Sequence, residues 1–227
     1  MTDANVAKRA AAYAAADLVE DGMTIGLGSG STFLFVLERL SERIREEGLA
    51  VRGAPTSTAT AEAATAKGIP LVSLDEVTRL DMAIDGADEV DPDKHLIKGG
   101  GAAHTRERLV AATADELIVI VGEDKMVHVL GEVFRLPVEV LPFGWTHARR
   151  RIEATDCTTQ LRKRDGAPLV TDNGNWILDC AYDGIREPAA LAEILDATVG
   201  VVDHGLFVNM AGRIVVANDD GDVRVVC

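Results

Sequence analysis

One short stretch of the chain carries most of the side chains that could do chemistry. Residues 85–109 read DGADEVDPDKHLIKGGGAAHTRERL and hold three notable carboxylates, a lysine and three adjacent glycines: Asp85, Asp88, Glu107, Lys98, Gly99, Gly100 and Gly101. Three adjacent glycines are costly to order, because glycine loses more backbone entropy than any other residue and brings no side chain to pack. A ligand that the backbone must approach closely, with its N–H groups turned inward before a helix, would explain them. The stretch therefore predicts a ligand-binding site.

Two elements must position these side chains. The apolar run 80–84 predicts a short strand, which places Asp85 at the carboxyl end of that strand, where ligands bind in open α/β sheets. Residues 102–114 contain good helix formers and no proline, which predicts a helix. We expect its inward face to contain Leu109, Val110 and Thr113.

Lys98 and Glu107 then come from opposite sides of the glycine turn and can converge on a small molecule. The alternative is a turn rich in Asp and Gly, followed by an ordinary surface helix on which Glu107 is merely solvated. The glycine run together with Lys98 favours the site.

A second candidate site lies nearer the N-terminus. A strand at 23–27 runs into Gly28-Ser29-Gly30-Ser31-Thr32, and a helix follows from Phe33 to Ile44. A strand, a turn rich in glycine and hydroxyl groups, and a helix form a typical phosphate site, because unpaired N–H groups and the positive helix end point at the anion. The turn lacks the GxxxxGK[ST] pattern, and its glycines do not match G-x-G-x-x-G, so a dinucleotide cofactor is poorly supported. A purely structural turn is the alternative.

Strands and helices alternate through the first half of the chain, which predicts an α/β domain with a parallel, doubly wound sheet. The most strand-like run, 116–121, is followed directly by GEDK at 122–125, so Lys125 is also predicted to lie at the carboxyl end of a strand. After about residue 155 the sequence pattern changes and predicts short strands joined by Arg-Asp-Gly and Asp-Asn-Gly turns, which favour hairpins. A helix at 188–195 interrupts them. This half predicts a small α+β module.

Composition excludes several classes of function. A net charge of −14 argues against nucleic acid as a partner, because its phosphates require a basic patch. An anionic ligand must then be captured locally, by N–H groups and a few cations. The chain has no apolar run of about 18 residues, and its first residues do not resemble a signal peptide, so we expect no membrane association and a cytoplasmic location. The five histidines and three cysteines show no metal-ligand spacing, and we expect no metal.

Five motifs in one order carry a resemblance to a known family. They are GLGSGST at 26–32, DGADEVD at 85–91, KGGGAAHTRE at 98–107, GEDK at 122–125 and TDNGNWILD at 171–179. Together they resemble ribose-5-phosphate isomerase of the A type, from about Lys8 to Asn209. Departures are modest: Ser29 stands where the family often has threonine, and His104 where an aliphatic residue is common.

The resemblance implies an aldose–ketose isomerase without metal or organic cofactor that interconverts D-ribose 5-phosphate and D-ribulose 5-phosphate through a cis-enediol(ate). It implies Glu107 as the general base, Asp85 for ring opening and oxygen-proton transfer, and Asp88 for the sugar hydroxyls. Lys98 and the N–H groups of Gly99 to Gly101 would stabilise the enediolate. The remaining substrate contacts would come from the residues Lys8, Ser29, Gly30, Ser31, Thr32, Gly86, Ala87 and Lys125.

The family fold implied is a Rossmann-like α/β domain, 1–131 plus 205–227, interrupted by a smaller α+β domain at 132–204. Homodimers or homotetramers are expected. Two other interpretations stay open: a non-catalytic sugar-phosphate sensor on the same scaffold, and an enzyme resembling coenzyme A transferases, which use a glutamate as a covalent nucleophile.

Overall fold

A computed structural model describes residues 3–227 of the chain. The six α-helices are α1 Asp3–Ala16, α2 Phe33–Glu47, α3 Thr58–Ala66, α4 His104–Thr113, α5 Trp145–Glu153 and α6 Pro188–Asp196. The strands are β1 Thr24–Leu27, β2 Arg52–Pro55, β3 Met82–Gly86, β4 Glu89–Val90, β5 Leu96–Ile97, β6 Leu117–Gly122, β7 Leu136–Val140, β8 Thr158–Leu161, β9 Lys163–Arg164, β10 Ala167–Pro168, β11 Trp176–Ala181, β12 Val201–His204, β13 Leu206–Phe207, β14 Ala211–Ala217 and β15 Val223–Val226. Within these residues, no helix combines the length and apolarity needed to cross a bilayer.

The chain divides into two compact units. The first runs to Ala87 and adds Arg106–Lys125 and Met210–Cys227, and the second consists of Asp88–Thr105 and Met126–Asn209. The chain therefore passes between the units four times, so neither unit is one continuous segment.

The first unit is built on a six-stranded sheet in the order β15-β14-β6-β3-β1-β2. All neighbours in it are parallel except the edge strand β15, which is antiparallel to β14. The chain goes from β1 to β2 on one side and then returns to β3 on the other. Strand order therefore reverses at β1, which makes the sheet doubly wound and creates a crevice at the carboxyl ends of β1 and β3.

Apolar spacing explains how helices cover this sheet. Helix α2 buries four side chains at helical spacing, Phe33, Val36, Leu37 and Leu40, and it ends at Gly48 in the left-handed conformation. The alanine-rich α1 buries five small side chains, Ala7, Ala11, Ala12, Ala15 and Ala16. Each fully buried Leu or Phe contributes about 1.5–3 kcal/mol relative to exposure.

The second unit contains a four-stranded antiparallel sheet in the order β12-β7-β11-β8, covered by its own apolar core. It also contains a three-stranded antiparallel sheet, β13-β5-β4. The predicted fold class, an α/β domain with a mostly parallel sheet and a second α+β part, is confirmed. Strand β7 was not predicted, since it lies in the proline-containing segment 137–142.

The compact units and the predicted domains divide the chain differently at 88–105, 126–131 and 205–209. The small sheet β13-β5-β4 draws the first and last of these segments into the second unit. Glu89 contributes as well, because its carboxylate, 1% exposed, accepts N–H bonds from Gly131, Val133 and Phe134 at 2.6–2.7 Å. The assignment of 1–131 plus 205–227 and of 132–204 as domains stays a prediction.

Candidate active site

Asp85 lies at the crevice where strand order reverses. Its carboxylate is 4% exposed, and Oδ1 accepts hydrogen bonds from the N–H groups of Ser29, at 3.0 Å, and Gly86, at 2.8 Å. Gly28 makes this approach possible, because a Cβ atom there would overlap the Asp85 carboxylate and stand 2.6 Å from the carbonyl oxygen of Ile84. Hydrogen bonds to Asp85 therefore connect the turn after β1 with the end of β3.

The Ser29 hydroxyl is turned into a cluster of hydroxyl groups. Its Oγ lies 2.7 Å from Thr56 Oγ1, 3.0 Å from Ser57 Oγ and 3.2 Å from Thr60 Oγ1. Thr60 in turn donates to the carbonyl oxygen of Gly28 at 2.9 Å. In this structure Ser29 therefore braces the turn against the start of α3.

A cleft of about 340 Å³ opens beside this turn, at the carboxyl ends of four strands of the first unit. Four of the predicted substrate residues line it: Lys8, Thr32, Ala87 and Lys125. Lys8 Nζ donates to Ser31 Oγ at 3.1 Å, and Lys125 Nζ lies 3.3 Å from Asp124 Oδ2. Two ammonium groups near the N-terminal end of α2 suit an anion, although Asp124 and Asp219 also line the cleft.

The glycine turn belongs to the second unit and follows β5. Lys98 is 3% exposed, and its Nζ lies 5.5 Å from the centroid of the Phe207 ring, a cation–π arrangement. Gly99 has a φ of 106°, and a Cβ atom on it would lie 2.6 Å from His104 Nδ1. Only glycine fits there. The N–H group of Gly100 donates to Asp88 Oδ2 at 2.8 Å, so the turn and one predicted carboxylate are bonded to each other.

Glu107 is buried in the first turn of α4 with 6% of its surface exposed. The prediction of the inward face is wrong for Leu109, which is 57% exposed, and the buried face carries His104, Glu107, Val110 and Ala111 instead. The helical period explains this, because residues three or four apart share a face and Leu109 lies only two positions from Glu107. A merely solvated Glu107 is excluded. A carboxylate in the first turn is also favoured by the helix dipole.

Arg162, which no motif in the sequence indicated, binds the carbonyl side of the glycine turn. Its Nη1 donates to the carbonyl oxygens of Gly99, at 2.8 Å, and Gly100, at 3.1 Å. Its Nε and Nη2 donate to the two carboxylate oxygens of Asp179. Asp179 closes the motif TDNGNWILD, so the motif was visible in the sequence while its partner was not.

A buried carboxylate, Glu139 in β7, was missed for the same reason. It is 0% exposed and accepts hydrogen bonds from Thr171 Oγ1 at 2.9 Å and Asn175 Nδ2 at 2.8 Å, both in that motif. It also accepts from Thr105 Oγ1 at 2.5 Å, and Thr105 lies in the first turn of α4. The motif therefore anchors the beginning of the helix that carries Glu107.

Comparison with known proteins identifies related chains of almost the same length. Residues 52–221 match the family ribose 5-phosphate isomerase A (phosphoriboisomerase A). A curated relative, ribose-5-phosphate isomerase A 1 of Oceanobacillus iheyensis, is 46% identical over 97% of this chain and 98% of its own.

Solved structures agree with this match. Ribose 5-phosphate isomerase A of Methanocaldococcus jannaschii superposes with a TM-score of 0.92 at 40% identity, covering 96% of this chain and 97% of that one. A D-ribose-5-phosphate isomerase in complex with phospho-erythronic acid superposes with a TM-score of 0.93 at 35% identity, covering 96% of both chains.

Proposed function

We infer that this chain, which belongs to the ribose 5-phosphate isomerase A family, interconverts D-ribose 5-phosphate and D-ribulose 5-phosphate. The family match covers three quarters of the sequence, and the relatives are matched over nearly their whole length. The observation that carries the proposal is the burial of Glu107 at the start of α4, directly after the glycine turn. Charged side chains are almost never fully buried without a structural or functional reason.

Glu107 is proposed as the general base that moves a proton between C1 and C2 of the sugar. A C–H group on the carbon next to a carbonyl group is only weakly acidic, so removal of its proton requires a positioned base and stabilisation of the enediolate that forms. Burial excludes water from competing with the substrate for the carboxylate. A positioned base of this kind contributes about 10² to 10⁴ in rate.

The glycine turn is proposed to stabilise the enediolate. Lys98 and the N–H groups of Gly99 to Gly101 supply positive charge and donors, and the loss of one such donor costs about 3–4 kcal/mol in a typical oxyanion site. Asp88, already bonded to the N–H of Gly100, is assigned to the sugar hydroxyls. Asp85 is assigned to ring opening and to proton transfer between oxygens. Its orientation is supported by the N–H bonds from Ser29 and Gly86.

The cleft of the first unit is proposed to hold the phosphate. Lys8, Lys125 and the N-terminal end of α2 place positive charge around it, beside the carboxylates of Asp124 and Asp219, and local charge of this kind would allow a chain of net charge −14 to capture an anion. Gly30, Ser31, Thr32 and the neighbouring Ala87 complete the proposed contacts. One structural relative was solved in complex with phospho-erythronic acid, a ligand that also carries a phosphate group.

We also propose a cellular location and an oligomeric state, and we propose that nucleic acid is not a partner. Family membership supports a cytoplasmic location and a homodimer or homotetramer, and the net charge of −14 argues against nucleic acid as a partner. Sedimentation velocity of the purified protein tests the oligomer directly.

The decisive experiment measures turnover of ribose 5-phosphate by the EDTA-treated protein, together with deuterium incorporation from solvent. Glu107→Gln should lower kcat by about 10² to 10⁴ while KM changes less than about threefold, because the amide keeps the shape but cannot accept the proton. Glu62→Gln, on the exposed face of α3, is the control and should behave as the wild type.

Near wild-type turnover by Glu107→Gln would remove this residue from the mechanism. Tight binding of ribose 5-phosphate by the wild type without any turnover would instead identify a sensor.

A further inference from the structure

A single arginine holds both carbonyl groups at the centre of the glycine turn. Arg162 follows β8 and is bound at one edge by the Asp179 carboxylate through Nε, at 3.0 Å, and Nη2. Its Nη1 is left to donate to the carbonyl oxygens of Gly99 and Gly100. Both side chains are largely buried, with 14% of Arg162 and 19% of Asp179 exposed. The planar guanidinium group is therefore fixed on one side by a carboxylate and on the other by the turn.

Fixing these carbonyl groups also fixes the N–H groups that follow them. A trans peptide unit is planar, and its C=O and N–H bonds point in opposite directions. When Arg162 binds the carbonyl oxygens of Gly99 and Gly100, the N–H groups of Gly100 and Gly101 must point away from Arg162. The first of them donates to Asp88, which agrees with this geometry.

Glycines cannot hold such an orientation by themselves. Without side chains, their φ and ψ angles are nearly unrestricted, so a peptide unit between two glycines can rotate at little cost. Removal of Arg162 would take away its hydrogen bond to the carbonyl oxygen of Gly100, so that this group could turn toward the ligand, whereas the carbonyl oxygen of Gly99 would keep the hydrogen bond from the N–H of Ala102 at 3.0 Å. The effect would be to present oxygen where the chemistry requires a donor.

We propose that Arg162, oriented by Asp179, is a positioning residue for the isomerisation, because it directs the N–H group of Gly100 to Asp88 and the N–H group of Gly101 toward the charge that develops on the substrate. The inference rests on the proposed function and assigns a role to the motif TDNGNWILD. The positive charge of Arg162 also polarises the two peptide units, which strengthens their N–H groups as donors.

The test uses Arg162→Lys, Arg162→Ala and Asp179→Asn. Arg162→Lys keeps the charge but loses the planar fork, so kcat should fall by about 10- to 100-fold with KM changed less than about threefold. Arg162→Ala should lower kcat further, by about 10² to 10³, the usual effect of losing one oxyanion donor. Asp179→Asn keeps one acceptor and should give the smallest decrease in kcat.

A second bidentate arginine–carboxylate pair in the chain provides a matched control. Arg213 donates through Nε and Nη2 to the two carboxylate oxygens of Glu116, at 2.8 and 2.6 Å, and this pair belongs to the first unit, whereas the glycine turn belongs to the second. Arg213→Lys should leave kcat and KM unchanged. Equal decreases in kcat for Arg162→Lys and Arg213→Lys, or a kcat of Arg162→Lys within twofold of wild type, would overturn the proposal.

A readout without turnover separates this proposal from the proposed function. Amide hydrogen exchange followed by mass spectrometry should be faster for the peptide containing 98–105 in Arg162→Lys, and unchanged for the peptide containing β6. A wild type that lacks isomerase activity refutes the function, while the exchange experiment still decides whether Arg162 holds the turn. Unchanged exchange in 98–105 would refute the positioning role.

Discussion

Close approach between backbone and carboxylate decides the geometry around Asp85. The Gly28 backbone lies so near the Asp85 side chain that any Cβ atom would overlap it, and the N–H groups of Ser29 and Gly86 then bind the same oxygen. At the same scale, the positive charge of the proposed phosphate cleft comes from single lysines. Lys125 is one of six lysines in the chain and reaches the cleft from the end of β6.

Lys125→Ala should raise KM for ribose 5-phosphate by about 10-fold with little change in kcat. A hydrogen bond to a charged group contributes about 1.5–3 kcal/mol, and the lower part of that range applies because the Lys125 side chain is 39% exposed. Steady-state kinetics measures both parameters. Lys67→Ala, at the exposed end of α3, is the control, and an unchanged KM in Lys125→Ala would count against the assignment.

At the scale of elements, the placement of α4 depends on what packs beneath it. A Cβ atom on Gly26 in β1 would overlap Val110 Cγ1 and stand 2.8 Å from Ala83 Cβ. Val110 lies on the same helix face as Glu107. Because position 26 is glycine and has no side chain, this face can pack closely against the sheet. The other end of α4 is anchored by the hydrogen bond from Thr105 to Glu139.

Gly26→Ala should therefore lower both stability and kcat. Overpacking of this kind costs about 1–3 kcal/mol in the free energy of unfolding, which urea denaturation can measure. Adding Val110→Ala removes the overlapping methyl group, so the double variant should show a favourable coupling energy of at least about 0.5 kcal/mol. Strictly additive effects would show that α4 does not rest on Gly26.

At the scale of the whole molecule, charge opposes compaction. The chain carries 37 acidic and 23 basic side chains, and the mutual repulsion of the excess carboxylates acts on the folded state more than on the expanded chain. The proposed binding of an anion is compatible with this charge because it relies on local groups, and screening limits the global field to about 8–10 Å at ordinary salt.

Salt should consequently stabilise the fold. Raising NaCl from about 20 mM to about 0.5 M should increase Tm by a few degrees, since 1 kcal/mol corresponds to about 2–4 °C for a chain of this size. KCl should have the same effect if screening is the cause. A Tm that falls with either salt would show that surface ion pairs outweigh the repulsion.

The sequence alone determined the class of fold and the local parts of the candidate site. Alternating strands and helices predict the parallel sheet, and glycines, hydroxyl groups and acids at strand ends predict the phosphate turn and Asp85, because these signals are encoded within a few adjacent residues. The five motifs also identified the family, and the comparisons confirmed it.

Only the tertiary structure decided which distant groups hold that site in place. Arg162 reaches Gly99 across 63 positions, and Glu139 reaches Thr105 across 34. No periodicity in the sequence encodes such pairs, because they depend on how β7, β8 and β11 line up in the sheet. The same limit explains why Leu109 was assigned to the wrong face of α4: apolar character suggests burial, but the packing around α4 gave the inward positions to His104 and Glu107.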